Sequence, residues 1–522
     1  MKRFNVTGLC IPNRHYMVDT SEKLEKIKLL VDAGFYFTIN RARQYGKTTM
    51  LNLLEQQLAD KYIVVSLSFE GVGPEAFESA QSFCGMFMRK SQEALEFDPI
   101  HGAYAAKWVD KAVATFEGLG KHIASLCKNS KIILLIDEVD KASNNQVFLE
   151  FLGMLRERYL ARERGKAFTY HSVVLAGVND IKTIKLKLVG QGMYTISPGE
   201  GSHNSPWNIA VKFDVDMSFH PNEIATILLQ YEGNHHIGMD IPLIAQEIYG
   251  YTSGYPFLVS RICQAIDEEL DADWTLRGVQ SAVKIILRET NTLFSDMIKN
   301  LENSHELYDF IYNIIIVGRH YDYNAYNPLI SLGTVYGIVK ATDRGVQIAN
   351  TVFSVFLTNY FISKNDTGSA PTQDLDSLQH AIIQNGRFDM ALCLTKFAEH
   401  YENIFHREDL AFLERHGRLL FLTYLKPLIN GQGFYHIESQ LTGLRRMDIV
   451  VDFMKDQFIL ELKIWHREVK HEQAYEQLSA YLDSRHAAVG YLVTFDFRKD
   501  KNRQPKAAWM EFFGKRIFDV IV

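Results

Sequence analysis

The chain lacks several features that would settle its class at once. Its five cysteines (Cys10, Cys84, Cys127, Cys263, Cys393) are scattered, and none forms a C-x-x-C pair. That excludes a disulfide framework and a cysteine-based zinc site, and it suits a reducing compartment. No uninterrupted apolar run approaches the roughly 20 residues that span a bilayer, and the N-terminus has no signal-peptide core. A cytoplasmic protein that avoids membranes is the expectation. There is no basic excess either: net charge is −6. Any nucleic-acid site must therefore be a local patch. Arginine is missing from a long internal stretch, with none between Arg164 and Arg261.

What is present reads as several soluble domains, since 522 residues exceed one core. The most informative stretch is Gly34 to Leu53. Phe35–Ile39 is an apolar, aromatic strand pattern. A polar loop follows, then Gly46-Lys47-Thr48-Thr49 and an amphipathic helix pattern. Strand, loop, G-K-T and helix is a phosphate-binding layout. Loop amides and the helix N-terminus bind polyphosphate there. Lys47 is placed to reach the β- and γ-phosphates of ATP, and Thr48 to hold Mg²⁺. The full motif asks for glycine where this chain has Arg41. A cation at that turn could meet phosphate or carboxylate directly. Arg41, Arg43, Tyr45, Gly46, Lys47, Thr48 and Thr49 form the expected nucleotide loop.

The second signal is Lys131 to Asp140, K-I-I-L-L-I-D-E-V-D. It reads as a central parallel strand buried on both faces and ending in carboxylates. Ligands bind at the carboxyl ends of such strands. Asp137 is the expected partner of Mg²⁺, and Glu138 the residue that polarises the attacking water. Further strands are expected at Tyr62–Phe69, Ser172–Gly177 and Ile209–Asp216, giving five. Asn179, past the Ser172 strand, is the γ-phosphate sensor candidate. Tyr16–Asp19 is a lead-in that either covers a base or packs as a flap. Thr20 is the expected cap of a helix over Ser21–Asp32. Gly254-Tyr255-Pro256 opens a helix in a helical lid, with Pro256 placed to pack on nucleotide. The arginine gap leaves only Lys182, Lys185 and Lys187 where ring-forming motors place an arginine finger. A conventional hexameric motor is therefore not expected. Arg156–Arg164 remains a second source of such a finger. The oligomeric state is open, and a homo-oligomer is possible.

Taken together, Y-M-V-D (16–19), R-A-R-Q-Y-G-K-T (41–48), L-I-D-E-V-D (135–140), S-P-W-N-I-A (205–210) and T-S-G-Y-P (252–256) resemble the AAA-like ATPases of bacteria, which are often fused to a nuclease domain. That resemblance covers about residues 1–270 and implies that arginine at position 41 is a family variant.

Downstream, helices lead to two short strands around Asp343-Arg344-Gly345, which looks like a winged helix. Few basic residues accompany it, so packing or interaction is favoured over DNA binding. Residues 364–373 read as a linker. The C-terminal stretch then brings two carboxylates and a lysine onto a β-hairpin. Pairing Phe453 with Phe458 puts Asp448 opposite Lys463, with Glu461 diagonal on the same face. Such a trio suits metal-assisted phosphodiester hydrolysis: Asp448 and Glu461 would bind Mg²⁺, and Lys463 would orient water or stabilise charge. The pattern resembles the PD-(D/E)xK nucleases over roughly the last 115 residues. It implies added roles for Glu438 and for Gln477 and Tyr481, with Glu414 a weaker candidate.

The expected fold is α/β throughout. An AAA-like parallel-sheet domain occupies 1–218, a helical lid 219–290, a winged-helix-like region 291–363 and a linker 364–373. A helical connector fills 374–405, and an α/β nuclease-like domain 406–522. ATP and Mg²⁺ are the expected cofactors and DNA or RNA the expected partner. A regulatory ATPase whose nuclease-like domain only binds nucleic acid or protein stays open as the alternative.

Overall fold

A computed structural model describes residues 2–98, 100–108, 113–142, 146–178, 207–317, 319–343, 345–365, 375–404, 410–429, 433–439, 447–454, 456–464, 469–485, 487–495 and 506–522. They form two compact units, Met1–Ala282 with Val335–Gly337, and Val283–Thr334 with Ile338–Val522.

The first unit is built on a parallel sheet of β1 (Tyr36–Asn40), β2 (Ile63–Ser68), β3 (Ile132–Asp137) and β4 (Ser172–Gly177), in spatial order β1-β4-β3-β2. Alternation along each strand feeds two cores. Ile133, Leu135 and Val174 face α1 (Ser21–Asp32) and α2 (Lys47–Leu58), against Leu24, Ile27, Met50 and Leu54. Leu134, Ile136 and Val173 face the other way. They meet Phe83 and Phe87 of α3 (Ala80–Glu96), Leu119 of α4 (Phe116–Cys127) and Leu152 of α5 (Gln146–Glu163). Helices on both faces explain why β3 and β4 are buried along their whole length.

The order places β4 between the G-K-T strand and the D-E strand. The expected fifth strand at 209–216 is absent as a strand. Only a bridge between Phe37 and Val211 forms, closed by Val211 N donating to the Tyr36 carbonyl at 2.9 Å. Thr20 makes no side-chain cap on α1; the Asp19 carboxylate accepts from Ser21 N at 2.9 Å instead. The lid follows as α6 (Pro221–His235), α7 (Ile241–Thr252) and α8 (Pro256–Glu269), and α9 (Leu276–Arg288) crosses the unit boundary.

The second unit opens with α10 (Thr292–Glu302), α11 (His305–Tyr312) and α12 (Pro328–Val335). A hairpin of β5 (Val339–Thr342) and β6 (Gly345–Ile348) and then α13 (Thr351–Asn365) follow. Because α13 runs to Asn365, the first two residues of the expected linker are helical, and 366–374 lie outside the described residues. The connector holds α14 (Leu375–Ile382), a two-residue hairpin of β7 (Ile383–Gln384) and β8 (Arg387–Phe388), and α15 (Met390–Ile404).

A long helix, α16 (Leu410–Ile429), leads into a six-stranded mixed sheet: β9 (Gly433–Ser439), β10 (Met447–Phe453), β11 (Asp456–Ile464), β12 (Val489–Phe495), β13 (Lys506–Phe512) and β14 (Lys515–Ile521). The order is β13-β14-β12-β11-β10-β9. Helix α17 (Val469–Ser484) covers one face, packing Ala474, Leu478 and Leu482 on Val450, Ile459, Leu492 and Ile517. Within this unit Tyr435 of β9 donates to Asn359 Oδ1 of α13 at 3.0 Å. Arg418 of α16 donates to the carbonyls of Ile315 and Ile316 at 3.2 and 2.9 Å, at the end of a π-turn that extends α11.

Candidate functional sites

The loop after β1 turns without the missing glycine. Gln44 takes a left-handed conformation (φ 56°), and so does Gly46 (φ 77°), the residue just before α2. Arg41 does not reach toward the loop interior. Its guanidinium donates to the Asn40 carbonyl at 2.8 Å and the Val215 carbonyl at 2.7 Å, and lies over the Phe213 ring at 5.4 Å. Here it is a strut that ties the segment after Trp207 to the end of β1. Arg41→Gly should lower stability by about 2–3 kcal/mol, the scale of charge-assisted bonds lost. It should change ATP affinity less than it changes the melting temperature; calorimetry alongside nucleotide titration checks this.

Lys47 is buried, and its ammonium donates to the carbonyls of Arg41 and Ala42 at 3.0 and 2.9 Å. Burial lowers its proton affinity, and the carboxylates of Glu138, Asp140 and Asp137 oppose that shift. Thr48 Oγ1 donates to Asp137 Oδ2 at 2.6 Å. The two hard oxygens expected to flank Mg²⁺ are therefore adjacent, and this donor set fits the ion. Glu138 follows with a left-handed φ of 54°, its amide donating to Asp137 Oδ1 at 2.9 Å. Burial first, and then the neighbouring Asp137, raises its carboxyl pKa above the ordinary value. Thr49 serves the scaffold, accepting from Cys10 N at 3.2 Å.

Two residues here were not found by sequence reasoning. Asp140, the last carboxylate of D-E-V-D, accepts a short hydrogen bond from Val178 N just past β4. A side chain on Gly177 would meet Val139 at 2.7 Å and Asp140 at 2.9 Å, so only glycine lets these loops pack so closely. Tyr255 is the other. Its hydroxyl donates to the Arg43 carbonyl at 2.5 Å, and its ring meets Tyr45 edge-on at 4.8 Å. The lid thus touches the loop through Tyr255, whereas Pro256 is buried as the first residue of α8. The signal was inside G-Y-P, one position before the proline. Arg43 offers its backbone oxygen here and has an exposed side chain.

The lead-in runs along the lid. The Met17 backbone pairs with the Gln230 side-chain amide, its N–H donating to Oε1 at 3.4 Å and its carbonyl accepting from Nε2 at 2.6 Å, and Asp19 N donates to Thr226 Oγ1 at 2.8 Å. A cavity of about 550 Å³ opens between Met17, Asp19, Leu24, Leu53 and Gln230, with no residue of 40–48 in its lining. Asn179, Lys182, Lys185 and Lys187 lie outside the described residues. Within the expected finger segment, Arg162 is engaged at the other end of the sheet from this loop. It donates to the Gly34, Tyr170 and His171 carbonyls, at the starts of β1 and β4, the opposite end of the sheet.

In the C-terminal sheet the hairpin register differs from the expected one by two residues. Phe453 pairs with Asp456, so Asp448 is directly opposite Glu461 rather than Lys463. The turn has two residues, with Met454 at φ 55°, a geometry typical of tight hairpins. A slip of two keeps every side on its face. Glu438 pairs with Asp448 from the other side. Glu438 and Asp448 are described for their backbones only. Glu461 is fully buried, and its Oε1 lies 3.7 Å from Lys463 Nζ, itself 11% exposed. Gln477 and Tyr481 are half-buried on α17; Glu414 is described for its backbone alone. Among the described residues no cluster of three or more metal-ligating side chains is found, which leaves Asp448 out of the count.

A family model described as an AAA-like domain matches residues 12–359. The chain belongs to this AAA-like family. The domain has the P-loop ATPase fold on its parallel sheet, and the match ends before the six-stranded sheet begins. No curated protein matches the chain. Among solved structures it is similar to the Walker-type ATPase paby2304 of Pyrococcus abyssi, at 11% identity and TM-score 0.47, over 68% of this chain and 99% of that one. It is also similar to the RuvB Holliday junction branch migration motor of Thermotoga maritima (13%, TM-score 0.32, 63% and 92%). The ORC1 protein of Aeropyrum pernix in complex with DNA is a third (14%, TM-score 0.29, 67% and 94%). Likenesses at this level carry no argument about activity. Among the described residues no helix is long and apolar enough to cross a membrane.

Proposed function

We propose that the AAA-like domain binds and hydrolyses ATP, and that its nucleotide state controls a Mg²⁺-dependent phosphodiester-cleaving centre in the C-terminal sheet that acts on DNA or RNA. The observation that carries the second half is Glu461, wholly buried beside Lys463 and across from Asp448. An interior carboxylate and ammonium 3.7 Å apart are costly. Hydrophobic residues would fill the same strand positions at lower cost, so retention of the pair points to chemistry.

At the P-loop, Lys47 exchanges its two loop carbonyls for the β- and γ-phosphates, and the amides at the start of α2 hold the polyphosphate. Thr48 and Asp137 would hold Mg²⁺, which supplies charge neutralisation when bound. Glu138 accepts a proton from, or orients, the water in line with the γ-phosphate. Tyr255 keeps the lid against the loop at Arg43, a route by which occupancy moves the lid. At the C-terminal sheet, Asp448 and Glu461 would hold a divalent cation that supplies Lewis acidity. Lys463 orients water or stabilises the charge that develops on the phosphate. Glu438 and Gln477 stand beside this centre on β9 and α17. The helices and hairpin of 291–363 form a winged-helix-like interaction region.

Glu138→Gln tests the ATPase half. ATP should still bind, and turnover should fall by at least ~100-fold. Unchanged turnover in this variant would remove Glu138 from the chemistry.

A further inference from the structure

The face that carries Glu461 and Lys463 holds a polar group that the cleavage reading leaves unused. Thr494, near the end of β12, pairs in parallel register with Lys463. Their side chains therefore leave the same face of the sheet, two positions along from Glu461. Thr494 is 1% exposed, and its Oγ1 finds no hydrogen-bond partner among the described residues. Its own backbone is engaged, the carbonyl accepting from Val522 N at 2.8 Å. Helix α17 closes the same face, and Gln477 Oε1 on that helix is likewise buried without a hydrogen-bond partner among the described residues.

A buried hydroxyl left unsatisfied costs about 1–3 kcal/mol, and valine would fill the same β-strand position without that cost. In a helix, threonine can bond back to its own turn; a strand offers no such acceptor. Native interiors satisfy nearly all such groups, so the missing partner is one that the described chain does not supply. The chemistry of the surroundings limits what it is. Glu461 and Gln477 Oε1 accept, Lys463 donates, and the Thr494 hydroxyl does both. That set suits water better than any apolar ligand.

We infer that Thr494 is a positioning residue of this centre: with Gln477, its hydroxyl holds water beside the divalent cation that Glu461 would carry. The inference rests on the cation reading above. Full-length protein titrated with Mn²⁺ by calorimetry, without nucleotide or nucleic acid, tests it, and the relevant heat is the component lost in Glu461→Ala. Thr494→Val should weaken that component roughly 10-fold, the scale seen when outer-shell partners of a metal site are removed. Thr494→Ser should restore it, and the melting temperature of Thr494→Val without metal should not fall. In cleavage, kcat should drop in Thr494→Val with KM unchanged. If Thr494→Val binds Mn²⁺ like the wild type, or Thr494→Ser is as weak as Thr494→Val, the inference is wrong while the Glu461 site stands. If Glu461→Ala removes no heat, the cation reading itself is wrong and the role of Thr494 goes with it.

Discussion

Glu461→Ala should abolish the proposed phosphodiester cleavage, by at least ~10²–10³-fold, the loss that follows removal of one preorganised charge-stabilising group. ATP hydrolysis should be unchanged, because the substitution lies in the other compact unit. The size of the effect follows from burial. Glu461 is fully enclosed, with Lys463 Nζ 3.7 Å away and Asp448 its register partner across the hairpin. Truncation also leaves Lys463 without its buried counter-charge, which is destabilising in its own right. Glu461→Gln keeps the volume and removes only the charge, so it should show the same loss in cleavage with a smaller loss in stability. Gel assays on DNA and RNA with Mg²⁺, run beside thermal melts, separate the two effects. Full cleavage by Glu461→Gln would mean that the carboxylate is only part of a salt bridge.

Lys47→Ala should remove nucleotide binding and turnover together, with affinity falling at least ~100-fold. Its ammonium is held by the carbonyls of Arg41 and Ala42. Those bonds pre-position the amine at the mouth of α2, and alanine leaves both carbonyls and the phosphates without a cation. Losing both charge-assisted bonds should lower stability by about 2–3 kcal/mol. Fluorescent-nucleotide titration with melting curves distinguishes this from misfolding: binding is lost while one cooperative melting transition is kept.

The sequence made local features legible and left long-range ones obscure. Strand, loop and helix around Gly46-Lys47-Thr48 lie in one short stretch, and so do the apolar run and acids of β3. Periodicity and end residues alone place them. The partners of Arg41 are different, since Val215 is 174 positions away. Nothing in the local pattern says that the arginine turns back toward it. Tyr255 meets Arg43 across 212 positions and was equally hidden. The segment 209–216 alternates like a strand, yet only Val211 reaches the sheet. The hairpin register was misread because the left-handed Met454 permits a two-residue turn, where a longer one was the natural reading for a side chain with a Cβ. A slip of two leaves positions 448, 461 and 463 on one face of the sheet, because strand faces repeat every second residue. Thr494 gave no signal at all: a threonine in an apolar strand looks like any β-branched residue until its hydroxyl is found buried.

The most direct test of nucleotide control is one cleavage experiment on the full chain with Mg²⁺, run without nucleotide, with ADP and with ATP, for wild type and Lys47→Ala. The account predicts that wild-type cleavage differs between nucleotide states, and that Lys47→Ala gives one rate in all three. Equal wild-type cleavage in every state, or none in any state while ATP is still hydrolysed, would contradict it.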